Sequence, residues 1–485
     1  MRTSTLQYLY LQKPLTLVVL ICLLTILPWI GTDSYSSVGV SYEAAVASSM
    51  IETGNWVLPP LSANEFAVGP PMVHWLIAAF SLPHGEVSDL TSRLPSALAL
   101  VVLTGFVLVF FGKRTKFHLA FVATLLMLSS LEVHRAGMAT QEDMLFTMFV
   151  VLGLFQMYRW ENALELRGLP FQVPAFFGCA ALTKGGVGIV FPLFVLVVYL
   201  LMLRKYSLSV VLKAAFYIGL SSLFIPLLWY IAAWNQGGDA FLQRTVAQHL
   251  GHFFSIGGVP SYTKVFTEHE LWLSVHSLIM GFMPWTLLLF VALFGIRVRK
   301  MERISLKKSI DAVWEKVITL EKVKLFSLVF LVCVLFFYCL SLMQSSVFYL
   351  PAFPFLSLFL ADIVLFLTEN RTRSIRFFGI LMALWGLFVV SVSLLTYFSV
   401  IDLPAMAAEH FAQPTLLNLT ESTAAYFKTP DAISLLIFFL LLFSLGAVVY
   451  QIFKNIGIKI LYATIALAIS LHMLMDAILL KFYFA

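Results

Sequence analysis

The sequence predicts an all-α polytopic membrane protein, one domain over residues 1–485 with about thirteen transmembrane helices and a structured first outer loop. Three observations predict it. Apolar runs recur along the chain, each near the length of about 20 residues that crosses a hydrocarbon core of roughly 30 Å. Only 12% of the residues are charged and 60% are hydrophobic, whereas a soluble domain carries about 25% charged residues. Lys and Arg gather in every second loop, which is the pattern of an oriented membrane protein.

The first apolar run is 15–30, behind a short tail bearing Arg2 and Lys13. It reads as a span rather than a cleaved leader, because the later spans need no leader to enter the membrane. The second and third spans fall near 94–112 and 117–134, and the fourth near 142–158. Two short spans, 170–183 and 187–203, hinge at Thr183-Lys184-Gly185-Gly186. The seventh and eighth are 209–234 and 271–296, the ninth and tenth 325–343 and 347–367. The last three are 377–400, 433–452 and 460–480. Basic residues follow the even-numbered spans, at 113–116, Arg159, Arg204-Lys205, 297–324, Arg371 to Arg376, and Lys454 to Lys459. The positive-inside rule therefore puts the N-terminus in the cytoplasm and the C-terminus outside. The loops 31–93, 235–270 and 401–431 land on the outer face, and 297–324 becomes a basic cytoplasmic segment against anionic headgroups. The net charge of +6 is thus an orientation signal and excludes a nucleic-acid footprint. Cys22, Cys179, Cys333 and Cys339 all lie in apolar runs, so no disulfide is expected.

The most informative stretch is Gly31 to Trp75 in the first outer loop. It holds Asp33, Glu43, Glu52 and Glu65 and no Lys or Arg. Tyr42 to Thr53 reads as an amphipathic helix stopped by Gly54-Asn55, and Pro59-Pro60 and Gly69-Pro70-Pro71 then force extended or turning backbone. Such a segment can roof a site at the membrane surface.

Several stretches resemble the GT-C membrane glycosyltransferases, specifically the aminoarabinose-transferase and protein O-mannosyltransferase branch. Thr53-Gly54-Asn55-Trp56-Val57-Leu58-Pro59 is similar to a G-D-W-x-x-P motif, and Gly69-Pro70-Pro71 with Trp75 to E-K-P-P…W. Arg93-Leu94-Pro95-Ser96-Ala97, Asp143-Met144 and Leu182-Thr183-Lys184-Gly185 resemble R-L-P-S-A, D-M-P and L-T-K-G. His249 with Phe253-Phe254, then Met283-Pro284-Trp285-Thr286, then Leu350-Pro351-Ala352-Phe353-Pro354 continue the series in order. The resemblance implies a GT-C fold and an inverting sugar transfer, outside the cytoplasmic membrane, from a polyprenyl-phosphate donor to a lipid or protein acceptor. It implies no nucleotide, cofactor or metal. Membrane lipids are the surroundings, nucleic acid is not a partner, a monomer is expected, and a bacterial inner membrane fits best.

The chain also departs from that pattern. The branch's catalytic Asp-Glu register falls on Gly39-Val40, and the acid and Lys before Pro-Pro become Val68-Gly69. An Arg of the aminoarabinose branch is Tyr42, and a late S-K-L-P Lys is Gln344. Relocated chemistry would fall to Glu43, one helical turn after Gly39, and to Asp33. Lys184, Arg93 and Arg135 are the candidates for the donor phosphate. Asp143, Tyr42 and His249 are candidates for the cavity and acceptor, although Glu142 and Asp143 also suit a plain role at a helix N-terminus with Thr140 as cap. The His and acids of 235–270 lack the spacing of a zinc site. Asp362 and Asp476 are intramembrane acids; Lys481 could pair with Asp476, and Asp362 has no evident partner. A lipid-linked-sugar transporter or flippase, and an inactive GT-C-like scaffold, are the competing functions.

Overall fold

The computed structural model describes residues 12–26, 30, 41–62, 65–160, 170–250, 276, 278–294, 317, 319–340, 346–410 and 414–483. Its helices are α1 (Pro14–Ile26), α2 (Tyr42–Thr53), α3 (Met72–Ser81), α4 (Asp89–Gly112), α5 (Phe117–Leu128), α6 (Leu131–Met138) and α7 (Asp143–Trp160). Then come α8 (Gln172–Lys184), α9 (Val187–Met202), α10 (Leu208–Ser222), α11 (Phe224–Leu250), α12 (Trp285–Phe294) and α13 (Lys322–Leu340). The last are α14 (Phe353–Asn370), α15 (Thr372–Tyr397), α16 (Leu403–His410), α17 (Pro414–Lys428), α18 (Ala432–Lys454) and α19 (Gly457–Tyr483). A hairpin of β1 (Pro60–Ser62) and β2 (Glu65–Phe66) is the one sheet among the described residues.

The apolar sequence becomes a multi-pass bundle. Helix α4 sits at its centre, packed on α1, α3, α5, α6 and α7. Aromatic rings fill the layer between α4, α7, α13 and α14: Phe110 stacks on Phe155 at 3.7 Å, and Phe330 on Phe355 at 4.1 Å. Helices α15, α18 and α19 form a second group at the edge. Their outward faces are apolar, with Phe443 and Phe453 78% and 81% exposed, as lipid-facing helices require.

Among the described residues, five helices are long and apolar enough to cross a membrane, or seven if two bent pairs each count as one span. The count of thirteen therefore rests on the sequence alone. The third run, 117–134, is broken: α5 and α6 meet at 63° across Ser129-Ser130. Both Ser hydroxyls donate to carbonyls one turn back, Ser129 to Leu125 at 2.6 Å and Ser130 to Met127 at 2.7 Å, so neither hydroxyl is left unpaired at the break. The short fifth and sixth spans form a hairpin of 13 and 16 residues. At about 1.5 Å rise per residue each falls short of a full crossing.

The seventh span does not stop at 234. Helix α11 runs on to a break at Gly238, where φ is 55° and ψ −144°, and a second helical segment then reaches Leu250, because Ala, Leu, Gln and Arg in 240–250 favour helix over loop. Cys22, Cys179 and Cys333 are free thiols. Asp362 has a partner after all, since Lys324 on the neighbouring α13 pairs with it. Asp476 pairs with His134, while the side chain of Lys481 lies outside the described residues. Sequence inspection missed both because the partners come from other helices.

Candidate active site

The first loop folds over one end of the bundle. Helix α2 runs Tyr42–Thr53 with Ser41 as N-cap, its hydroxyl accepting from the Ala44 amide at 3.3 Å. Gly54 ends the helix in the left-handed conformation at φ 68°, which glycine adopts without strain. Asn55 then sets the turn: its Oδ1 accepts from the Val57 and Leu58 amides, and its Nδ2 donates to the Leu58 carbonyl at 2.7 Å. Two indoles pin the turn to the bundle. Trp75 Nε1 donates to the Trp56 carbonyl at 2.7 Å, and Trp229 Nε1 of α11 donates to the Val57 carbonyl at 3.1 Å. The Arg244 guanidinium lies 4.7 Å from the centre of the Phe66 ring and ties α11 to the hairpin.

Beneath this roof, the start of α7 and the end of α8 meet. The bend at 139–142 is held by the first turns of α4, with Ser92 Oγ 3.1 Å from Thr140 Oγ1 and Ser96 Oγ donating to the Gln141 carbonyl at 3.0 Å. Thr140 thus bonds to α4 instead of capping α7. The bend delivers Glu142 and Asp143 to Lys184 at the end of α8. Lys184 pairs with Asp143, and its Nζ lies 3.8 Å from a Glu142 carboxylate oxygen. These side chains are largely withdrawn from solvent, at 16% exposed for Lys184 and 14% for Asp143. Glu43 approaches from α2, close enough to feel the charge of Asp143 and to act in turn on Glu142.

Glu142 and Asp143 thus share one ammonium, with Glu43 close to both acids, and the electrostatics follow. Burial pushes Glu142 from an ordinary 4.5 up to about 7, with Asp143 and Glu43 adding to the rise and Lys184 opposing it. Burial likewise raises Glu43, and Asp143 adds to it, while the backbone and Ser41 bonds pull the other way. The Tyr42 phenol is raised by burial, then by Glu43 and Glu142. A carboxyl poised near neutrality can take a proton from a hydroxyl or return one.

The other sequence candidates are placed as follows. Arg93 is buried in the first turns of α4, at 2% exposure. Arg135 on α6 is bonded to Glu132 at 2.5 Å and lies within electrostatic reach of Asp143. Tyr42 stands beside Glu43, edge-on to the buried His74 with ring centres 6.0 Å apart. Asp33 and the side chain of His249 lie outside the described residues, as does Gln344. Glu142 is the site residue that the sequence left in a capping role. Its signal was adjacency to Asp143 in a polar bend, but only the fold shows Lys184 and Glu43 converging on it.

Comparison with known proteins bears on the fold. Superposed on the crystal structure of ArnT from Cupriavidus metallidurans bound to undecaprenyl phosphate, the fold gives a TM-score of 0.67 over 99% of this chain and 78% of that one, at 16% identity. This is the GT-C fold. Residues 68–230 match the family model described as dolichyl-phosphate-mannose-protein mannosyltransferase. The chain is also similar to undecaprenyl phosphate-alpha-4-amino-4-deoxy-L-arabinose arabinosyl transferases. It is 22% identical to the one from Shewanella sediminis over 81% of this chain and 67% of the relative. It is 24% identical to that from Aeromonas salmonicida over 72% of this chain and 60% of the relative. The chain therefore spans about two thirds or less of the length of these curated relatives.

Proposed function

We propose that this GT-C chain transfers a sugar from a polyprenyl-phosphate donor to a lipid or protein acceptor on the outer face of the cytoplasmic membrane, with its N-terminus in the cytoplasm. The observation that carries the reading is the pairing of Glu142 and Asp143 with Lys184 beneath the folded first loop, with Glu43 brought up beside the two acids. Transfer needs a base for the acceptor, a cation for the donor phosphate and shelter from bulk water. Glu43 and Glu142 are the base candidates, and Asp33 joins them if the preceding segment brings it in. The similarity to a fold that holds undecaprenyl phosphate supports a prenyl-phosphate donor.

The acceptor oxygen attacks the anomeric carbon directly as the carboxylate takes its proton. The bond to the donor phosphate breaks, and the electron pair leaves on the phosphate oxygen. No nucleotide and no metal takes part. Lys184 is engaged by Asp143, so its main effect is to keep the acids ionised enough to act. Arg135 is then the cation for the phosphate, since Arg93 is enclosed in α4, with Asp143, Tyr42 and His249 on the acceptor side. A net negative mouth also suits a sugar bearing an amine, the kind of donor the arabinosyl transferases are named for.

The test uses the full chain in liposomes with an undecaprenyl-phosphate-linked sugar, and mass spectrometry of lipid and protein products. Product formation is expected, with E43Q or E142Q lowering kcat by about 10²-fold or more while KM holds. Transport of the donor without product would instead make the chain a flippase. Full activity in E43Q, E142Q and K184M together would remove the proposed site.

A further inference from the structure

A second polar group lies inside the bundle, on the other side of the 139–142 bend from Lys184. Helix α6 carries Glu132, His134 and Arg135, and α19 brings His472 and Asp476, one helical turn apart on one face. His134 Nε2 and Asp476 Oδ2 are 2.9 Å apart, a charge contact without the alignment of a good hydrogen bond. The His134 and His472 rings are 5.8 Å apart. The side chains of Glu132, His134 and Asp476 are 5%, 1% and 7% exposed. Arg135 is different: its Nη2 meets Glu132 at 2.5 Å, yet 43% of its side chain is exposed. It also lies within electrostatic reach of Asp476 and of Asp143.

Burying two carboxylates and an imidazole inside an apolar bundle is costly, and ionisable groups kept in such a place commonly line a substrate path. Here the acids are enclosed and the guanidinium is not. The turn at 278–284 walls Glu132 in, with the Leu131 amide donating to the Met283 carbonyl at 3.0 Å, so Glu132 cannot follow Arg135 outward. A guanidinium gripped on one edge presents its remaining N–H donors in a set direction, which is how Arg receives a phosphate.

We infer that Glu132, together with Asp476, is a positioning group that aims Arg135 at the phosphate of a prenyl-phosphate substrate. The inference rests on the donor class proposed above. Its test is binding to the purified full chain in detergent, with undecaprenyl phosphate compared against undecaprenol by native mass spectrometry. Arg135→Ala weakens the phosphate at least tenfold and leaves the alcohol unchanged. Glu132→Gln and Asp476→Asn each weaken the phosphate three- to tenfold, again sparing the alcohol, and Glu132→Asp recovers part of the loss. Because the neutral variants can fail to fold, Glu132→Asp and Asp476→Glu are read separately, and each should still reduce the preference for phosphate. A phosphate-to-alcohol ratio held at the wild-type value in these variants, or equal weakening of both lipids, overturns the positioning role. If Glu132- and Asp476-dependent phosphate binding occurs without sugar transfer, the positioning role stands and the transferase reading falls. If transfer occurs with a ratio indifferent to these residues, the reverse holds.

Discussion

Burial sets the proton affinity of Glu142, and Lys184 offsets it only in part. Because the folded value, about 7, lies above the ordinary 4.5, the folded chain binds this proton more tightly than the unfolded chain does. The stabilisation is complete below the ordinary value and is lost as pH rises through about 7. The side chain is 31% exposed, so solvent screening trims the effect. A loss of about 1 kcal/mol between pH 4.5 and 8 is expected. Thermal unfolding in detergent should show it, and Glu142→Gln should flatten that part of the profile. Lys184→Met removes the cation from between two enclosed acids and should cost about 2 kcal/mol. In a double-mutant cycle, Lys184→Met with Asp143→Asn should cost less than the sum of the two single changes, since Asp143 is then no longer a stranded charge. At this scale the sequence was legible where chemistry is local. Glu43, Lys184 and Asp143 could be singled out by residue type and setting. The pairing His134–Asp476 joins helices far apart in the chain and Lys324–Asp362 joins two successive ones, and no periodicity reveals which faces will meet.

The elements follow their local signals closely in the first loop. Ser41, Gly54 and Asn55 set the start, stop and turn of α2, and each acts through a backbone contact within a few residues. Elsewhere tertiary packing overrides the reading. The run 117–134 is apolar enough for one straight span, yet it breaks at two adjacent serines, and composition alone gives no sign of the 63° turn. Helices α8 and α9 owe their hairpin to a missing side chain. A Cβ at Gly188 would sit 2.3 Å from the Ala180 carbonyl carbon. Gly188→Ala should therefore cost about 2–3 kcal/mol, or prevent accumulation of the protein, by forcing the two helices apart. Gly446 in α18 is the control: nothing lies within 4 Å of its Cβ position. Gly446→Ala should be neutral or should stabilise by up to about 1 kcal/mol. Denaturant titration in mixed micelles compares the two.

Across the whole molecule, apolar side chains serve two solvents. Phe330 is fully enclosed and stacks on Phe355, whereas Phe443 is 78% exposed on α18. In water Phe443 would be a liability; in lipid it has simply exchanged one hydrocarbon neighbour for another. Phe330→Ala should cost about 3–5 kcal/mol and Phe443→Ala under about 0.5, measured by thermal unfolding in lipid-like detergent. A large cost at Phe443 would mean that protein covers that face. The membrane class was plain from composition, because a chain with so few charges has no other way to remain in solution. The number of crossings was less plain, because short and bent helices carry the same apolar composition as full spans.

The break ahead of α6 has one more consequence. This helix has only eight residues between Ser130 and the extended Ala139, so it has no spare turns to absorb a slip. Deleting one residue after Ser130 would rotate everything behind it by about 100°. Glu132, His134 and Arg135 would then swing off their partners together, while every apolar neighbour found another apolar surface. Such a chain would strand enclosed charges among apolar side chains, so it should insert yet lose heat resistance and substrate binding together. The short helix behaves like a key whose cuts matter only in one phase.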